Sequence, residues 1–496
     1  MHPPDGLGSW PARRARIDAS RTALVRPDGT GVGYGELAAR VDRLAGALAA
    51  AGVGPGDRVA QLGVNAVEVL ETFFAVWRLG AVAVPLNHRL AGPEIAYMLD
   101  DVGASFLVSS PDAAALAAEF TGPRLEVGPQ YEEAVAGGEG AAHPVGLDDA
   151  ALVLYTSGTT GRPKGAVLTH GNLTWNTVNQ LAHVDVASTD RVLCIAPLFH
   201  CVGIGQITLP TLFKGGSVEP VAKVDPGAIL ARIGAAGITG FSAVPTMLQM
   251  MCDHPGFAAA DLSSLRVVQY GGSPVPERVA RAWLDRGVTL QQGYGMTEAS
   301  PGVLMATREG SPAHPVAVGV PHFFTDVAMV RDGEVAPLHA GPAELLVRGP
   351  HVFAGYHGRP ADTADAMLDG WFRTGDVLTV AEDGWATVVD RVKDVIISGG
   401  ENVYPAEVEA VLLGVDGVVG AAVVGVPDER WGETGVGFVQ AAPGAVLDVD
   451  ALRAHLAAHL ARYKVPKRLV VVDELPRNAT GKIRRTELRA RAEEMP

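Results

Sequence analysis

The stretch Ala150-Ala-Leu-Val-Leu-Tyr-Thr-Ser-Gly-Thr-Thr-Gly-Arg-Pro-Lys-Gly-Ala-Val-Leu-Thr-His170 decides how the rest of this chain is read. Its apolar opening, Ala150 to Leu154, has the length of a buried strand. The sixteen residues from Tyr155 to His170 then carry six hydroxyls, three glycines, one arginine and one lysine. Glycines let backbone N–H groups turn toward an anion, hydroxyls add donors, and Lys164 adds a point charge. The stretch therefore reads as a strand emptying into a phosphate-binding loop. It is not a Walker A loop, because the Gly-x4-Gly-Lys-Ser/Thr spacing is absent. A plain polar surface loop is the usual meaning of a Ser/Thr/Gly cluster. Five further segments downstream decide against that meaning here.

With 496 residues the chain is long enough for more than one domain and a large buried core. Hydrophobic residues make up 48% and charged residues 19%, which excludes disorder as the main theme. A formal charge of −15 argues against a general nucleic-acid-binding role, so an anionic ligand needs a local basic pocket. The three cysteines, Cys194, Cys201 and Cys252, form no CxxC pair and read as reduced thiols packed as small hydrophobes. Met1 to Arg16 contains no apolar core of a secretory signal. The run Val418 to Val426 is far shorter than the ~20 residues of a membrane span. These features predict a soluble, cytoplasmic protein.

Around the central stretch the pattern alternates. Leu37, Val41, Leu44 and Leu48 repeat at helical spacing, and Gly52-Val-Gly-Pro-Gly56 ends that helix. Asp57 to Leu62 reads as a strand, Ala66 to Leu79 as a helix and Ala81 to Pro85 as the next strand. That is the βαβ signature of a mostly parallel sheet flanked by helices. From about Val327 short strands and turns take over, among them Glu344 to Arg348 and Trp385 to Val389. After Asp394 a small α+β pattern restarts, with helices at Glu407 to Leu413 and Val449 to Leu460. Strands are expected there at Ala421 to Val426 and Val436 to Ala441.

Downstream of the loop lie Gly271-Gly-Ser-Pro-Val275, Gly293-Tyr-Gly-Met-Thr-Glu298, Trp371-Phe-Arg-Thr-Gly-Asp376, Asp390-Arg-Val-Lys-Asp394 with Ser398-Gly-Gly-Glu-Asn-Val-Tyr-Pro405, and Pro476-Arg-Asn-Ala-Thr-Gly-Lys482. Together with residues 155–170, in this order, they make the chain resemble the acyl-CoA synthetases of the adenylate-forming superfamily. That superfamily also contains peptide-synthetase adenylation domains and beetle luciferases. The resemblance spans most of the chain. It implies an α/β protein: a large N-terminal domain, residues 1–390, with βαβ-type sheets and a distorted barrel subdomain, and a small mobile α+β lid, residues 391–496, turning on a hinge at Lys393.

The chemistry implied is an ATP-dependent acid:CoA ligation in two steps. A carboxylate attacks the α-phosphate and expels pyrophosphate; the acyl group then passes from AMP to the coenzyme A thiol. Such chemistry asks for donors, cations and geometry around phosphorus. By resemblance Thr156, Ser157, Gly158, Thr159, Thr160 and Lys164 grip the β- and γ-phosphates, and Glu298 is the Mg2+ ligand. Tyr294, within Gly293, Gly295, Met296 and Thr297, stacks on adenine, with Gly271, Gly272 and Ser273 as the other wall. Asp376 takes the ribose hydroxyls, Arg391 contacts ribose and phosphate, and Lys482 bridges the attacking carboxylate and the α-phosphate. The catalytic set implied is Lys482, Thr156, Glu298 and His200. Ser398, Gly399 and Gly400 would line the pantetheine tunnel, with Arg89, Tyr463 and Lys467 at the CoA nucleotide. Val465 departs from the family pattern, which frequently has arginine at that position.

The acyl pocket is implied at His200, Phe241, Val244, Gly271 and Gly295. Its surroundings are apolar (Val202, Ile204, Met247, Val303, Leu304), with no carboxylate to meet an α-amino group. That pattern predicts a mostly hydrophobic fatty, aromatic or alicyclic monocarboxylate. Two rival readings stand beside the ligase: an adenylating enzyme that loads a separate carrier protein, and an inactive nucleotide-binding module. A light-emitting oxidase lacks any supporting feature. The resemblance leaves a homodimer open.

Overall fold

A computed structural model of the chain describes residues 6–156, 163–272, 275–338, 340–392, 394–398, 401–428, 432–460, 462–478 and 482–495; at 391, 397, 401, 402 and 432 it describes the backbone. The chain packs as two compact units, Met1–Asp326 with Val347–Phe372, and Val327–Leu346 with Arg373–Pro496. The second unit begins where the sequence pattern changes to short strands.

The first unit is built on two α/β sheets. In one, strands Ala150–Thr156, Val82–Leu86, Arg58–Leu62, Phe106–Ser109 and Arg124–Glu126 run parallel. Strand Lys164–Thr169 folds back antiparallel on the first of these, and Gly355–Tyr356 pairs outside it. The other has nine strands. Its parallel centre, Leu290–Gly295, Val267–Gly271, Gly240–Ala243, Arg191–Cys194, Ser217–Pro220 and Thr22–Val25, carries antiparallel edges. Parallel strands covered on both faces read as near-continuous apolar runs, and every residue of Val82-Ala-Val-Pro-Leu86 is buried.

Helix Tyr34–Ala50 buries Leu37, Val41, Leu44 and Leu48 on one stripe. Burying each such side chain is worth roughly 1.5–3 kcal/mol, which holds the helix to the sheet. Helix Val67–Arg78 is buried along most of its length and carries Trp77, whose indole N–H donates to the Ala151 carbonyl at 2.7 Å. That bond ties the helix to the start of the phosphate-loop strand. At the far end Thr169 caps helix His170–His183, with Asn172 returning the bond, so the stretch is clamped on both sides.

A third sheet is curled and barrel-like. It orders Glu334–Ala336, Asp326–Arg331, Ala343–Arg348, Trp371–Val380 and Met367–Leu368, with Ala386–Arg391 also on Trp371–Val380. The C-terminal sheet orders Glu401–Val403, Ile396–Ser398, Gly432–Ala441 and Val418–Asp428, with Arg468–Val472 parallel to Gly432–Ala441. Helices Pro405–Leu413, Val449–His459 and Arg485–Glu493 accompany it. The α/β class, the barrel-like sheet and the small α+β C-terminal part are those the sequence predicts. Among the elements the sequence did not indicate, residues Val202–Thr208, just after His200, form a π-helix that runs into helix Leu209–Lys214. Such wide turns carry no periodic signal of their own.

Candidate active site

In the first unit the strand pair Thr156↔Lys164 closes the neck of the loop expected to bind phosphate. The Thr156 hydroxyl donates to the Lys164 carbonyl at 3.5 Å. Ser157, Gly158, Thr159 and Thr160 lie outside the described residues. The Lys164 ammonium meets Asp362 Oδ1 at 2.8 Å and sits 5.5 Å from the centre of the Tyr356 ring. Beside the loop, the Tyr155 hydroxyl donates to Asp101 Oδ2 at 2.8 Å, and the Arg359 guanidinium donates to Asp101 Oδ1 at 2.7 Å. Tyr97 donates to the Pro163 carbonyl at 3.2 Å on the loop's return.

Glu298 lies in the short turn Thr297–Ala299 and is 9% exposed. Its Oε1 accepts from the Tyr356 hydroxyl at 2.8 Å. Burial, then the Glu298 charge, pushes the Tyr356 phenol well above its ordinary range, so it stays a donor. One carboxylate is enough for magnesium when substrate phosphates and water supply its other oxygens. Among the described residues no three His, Cys, Asp or Glu side chains converge into an all-protein cage. Glu298 therefore fits the ion as one ligand among non-protein oxygens.

Tyr294 is 8% exposed on strand Leu290–Gly295, opposite Leu304. The glycines around it are required by backbone crowding. A Cβ at Gly295 would lie 1.7 Å from the Pro301 carbonyl oxygen, and one at Gly271 would lie 2.6 Å from that of its strand neighbour Gly293. Strand packing alone therefore demands glycine at Gly271. Gly272 follows directly on that strand, and Ser273 is outside the described residues. Met296 donates its N–H to the Pro301 carbonyl at 3.1 Å, and the Thr297 hydroxyl lies 3.7 Å from the Cys201 sulfur. Burial raises the Cys194 and Cys201 thiols to about 11, which makes them packing groups rather than nucleophiles.

His200 and Arg89 both border Phe199: the imidazole ring centroid is 4.7 Å from it and the guanidinium carbon 5.9 Å. Burial, helped by the Arg89 charge, pushes the His200 pKa down to about 4, so the ring is neutral near pH 7. Phe241, expected at the acyl pocket, is fully buried with its ring 6.0 Å from Trp283. Strand alternation turns Gly240 and Ser242 to the opposite face, where Ile207 of the π-helix lies 3.5 Å from the position of a Gly240 Cβ. Val244 caps helix Pro245–Asp253.

In the second unit Asp376 and Arg391 are direct partners across the antiparallel pair Trp371–Val380 and Ala386–Arg391. Glu344 organises the turn before Asp376. It accepts from the Arg373 guanidinium at 2.6 Å and from the Gly375 N–H at 3.2 Å. Asp390 accepts the Ala406 N–H at 2.9 Å, tying the end of strand Ala386–Arg391 to helix Pro405–Leu413. Ser398 ends strand Ile396–Ser398; Lys393, Gly399 and Gly400 lie outside the described residues. Lys482 is exposed at a turn that Asn478 closes, accepting the Lys482 N–H at 2.9 Å and donating to its carbonyl at 2.8 Å. Tyr463 is 44% exposed, and Lys467 is paired with Asp428 at 2.7 Å. Tyr356, Asp362, Arg359, Asp101 and Glu344 belong to none of the sequence motifs. Lone polar residues outside a motif give no signal that would have found them.

The matches to known proteins place the chain among the adenylate-forming enzymes. The chain belongs to the AMP-binding enzymes: that family's model matches residues 11–357, and the model of the AMP-binding enzyme C-terminal domain matches 407–482. It is 52% identical over 487 residues to a feruloyl-CoA synthase from Amycolatopsis sp, covering 98% of this chain and 99% of that one. It is 40% identical to an indoleacetate–CoA ligase from Aromatoleum aromaticum, covering 97% of each. The crystal structure of ATP-bound MatB from Rhodopseudomonas palustris superposes with a TM-score of 0.91 at 32% identity, covering 98% and 99%. The protein is an AMP-forming carboxylic acid:CoA ligase acting on hydrophobic acids, with ATP, Mg2+ and CoA as its cosubstrates and ion. Among the described residues no helix is long and apolar enough to cross a membrane.

Proposed function

We propose that the acid is an aromatic propenoate of the ferulate kind, carrying a ring hydroxyl. The observation that carries this is the 52% identity to a feruloyl-CoA synthase across nearly the whole of both chains. The chemistry of the candidate pocket supports it. Val303, Leu304 and Ile204, expected around the pocket, are buried and apolar, and Ser242 Oγ, Gln206 Oε1 and Gln269 Oε1, on the elements that carry Phe241, Ile204 and Gly271, are buried without a hydrogen-bond partner among the described residues. A ring with a polar tip suits mostly apolar walls with a few uncommitted polar atoms better than an alkyl chain does.

In this reading Lys164 and the loop hydroxyls hold the β- and γ-phosphates and Glu298 takes magnesium, which neutralises phosphate charge when bound. Tyr294 faces adenine; Asp376 and Arg391 hold ribose. A carboxylate oxygen attacks the α-phosphorus, the bond to pyrophosphate breaks, and Lys482 offsets the charge that builds between them. His200 is neutral, so it borders the carboxylate without a competing charge. The CoA sulfur then bonds to the acyl carbon, AMP leaves with the bonding electron pair, and the thiol proton passes to solvent. The lid is residues 391–496, pivoting at Lys393. Its rotation brings Lys482 to the first step and the Ser398-Gly-Gly400 segment to the second. Arg89, Tyr463 and Lys467 serve the CoA nucleotide, Lys467 after leaving Asp428. Free cysteines among the described residues fit a cytoplasmic setting.

The test is CoA-dependent AMP formation with ferulate, coumarate, cinnamate, indoleacetate and medium- and long-chain fatty acids. The reading expects kcat/KM highest for the hydroxylated propenoates. A fatty acid turned over faster than all of them overturns it.

A further inference from the structure

The segment 353–363 lies beside strand Lys164–Thr169, and its side chains reach both groups assigned above to magnesium-bound ATP. We propose that Tyr356 and Asp362 are positioning residues for that complex: Asp362 holds the Lys164 ammonium and Tyr356 holds Glu298. One short segment, strand Gly355–Tyr356 and helix Pro360–Asp365 after it, then sets the spacing between the cation that meets the phosphates and the carboxylate that meets magnesium. The inference rests on the placement of phosphates at Lys164 and magnesium at Glu298 proposed above.

The segment is bound to the loop's exit strand by register. Tyr356 is opposite Ala166 and Gly355 opposite Val167, and the N–H groups of His357 and Ala354 donate to the carbonyls of Gly165 and Val167 at 2.8 and 2.9 Å. It is bound equally to the glutamate turn, because the Phe353 N–H donates to the Glu298 carbonyl at 2.8 Å. Tyr356 then adds a side-chain bond of 2.8 Å to the carboxylate itself. Between them Thr363 closes the turn, accepting the Tyr356 N–H at 2.9 Å and donating to the Arg359 carbonyl at 3.0 Å. Arg359 reaches Asp101, which also holds Tyr155 at the loop's entry.

The energetics favour order over charge. Asp362 and Glu298 are both anionic and would repel a nucleotide polyphosphate if net charge were their contribution. Fixing a long lysine and a carboxylate before the ligand arrives removes part of the ordering cost of binding. Lys164 is 16% exposed and Asp362 35%, so the pair is only partly screened by solvent.

The test measures binding by calorimetry, without acid, for the parent, Tyr356→Phe and Asp362→Ala, using ATP with magnesium and AMP without it. Each variant is expected to weaken magnesium-ATP binding roughly tenfold or more, the usual effect of losing a bond to a charged group. AMP affinity and thiolation of a supplied acyl-adenylate stay at parent values, while the thermal midpoint falls by a few degrees at most. Unchanged magnesium-ATP affinity overturns the inference. So does a parallel fall in AMP binding, thiolation and thermal midpoint, which marks a structural role alone. Lys164→Ala and Glu298→Gln are the controls. If these leave magnesium-ATP binding intact, the placement of phosphates and magnesium fails and the inference with it. If they weaken it while Tyr356→Phe and Asp362→Ala do not, the inference alone fails.

Discussion

Acid should destabilise this protein through histidines that the fold keeps neutral, and His170 shows why. It ends the phosphate-binding stretch, starts helix His170–His183 and is fully buried. Its Nδ1 accepts the Leu7 N–H at 3.2 Å, so the ring proton sits on Nε2. Burial pushes its pKa down to about 4, with the Asp149 charge opposing weakly. Protonation would bury a charge and set an N–H against the Leu7 N–H. An exposed imidazole titrates near about 6.5, so the unfolded chain takes the proton first as pH falls. The stability that neutral His170 confers is therefore intact above about pH 6.5 and lost as pH falls toward about 4. Linkage puts that loss at about 1.8 kcal/mol between pH 7 and pH 5. His351, also fully buried with its pKa pushed down to about 4, adds the same, for roughly 4 kcal/mol together. His322, held lower still by burial and neighbouring histidines, acts in the same direction. Such a loss is a large part of ordinary folding stability, about 5–15 kcal/mol.

The assay is urea unfolding of the parent and His170→Phe at several values between pH 7 and pH 5, followed by tryptophan fluorescence. Phenylalanine leaves the Leu7 N–H without its acceptor and lowers the whole curve. It also removes one titrating site, so the slope of stability against pH should shrink by up to about 1.4 kcal/mol per pH unit. Equal slopes in the two proteins would refute the reasoning.

Lys482→Ala should slow acyl-adenylate formation on the order of a hundredfold or more while sparing thiolation of a supplied acyl-adenylate. Single-turnover kinetics of each step check this, and equal loss in both removes the assigned role. Lys393→Pro fixes φ at the pivot and should impair the half-reaction that needs the disfavoured backbone angle; unchanged rates in both would put the pivot elsewhere. Arg485→Met breaks a pair with Glu409 at 2.6 and 2.9 Å and a bond to the Val423 carbonyl at 2.7 Å. Losing a pair this sheltered should cost roughly 3 kcal/mol, seen as a lower unfolding midpoint that Glu409→Leu on the same background partly restores.

Much of this protein was legible in sequence because the information is local. The apolar run Ala150 to Leu154, the glycines and hydroxyls after it and the helical stripe Leu37, Val41, Leu44 and Leu48 each act over a few residues. Backbone period and turn chemistry settle such features before any long-range contact forms. The order of the six segments then carried the family, and with it the reaction. What tertiary structure decided is which distant residues meet. Asp376 stands opposite Arg391 because of strand register. Phe241 faces Trp283 because of strand alternation, and His200 and His170 are neutral because of burial. Lys164 meets Asp362, and Glu298 meets Tyr356, because a strand far along the chain, with the helix after it, adds itself to strand Lys164–Thr169. A single tyrosine or aspartate has no period and no spacing rule, so its partner exists only once the chain has closed around it.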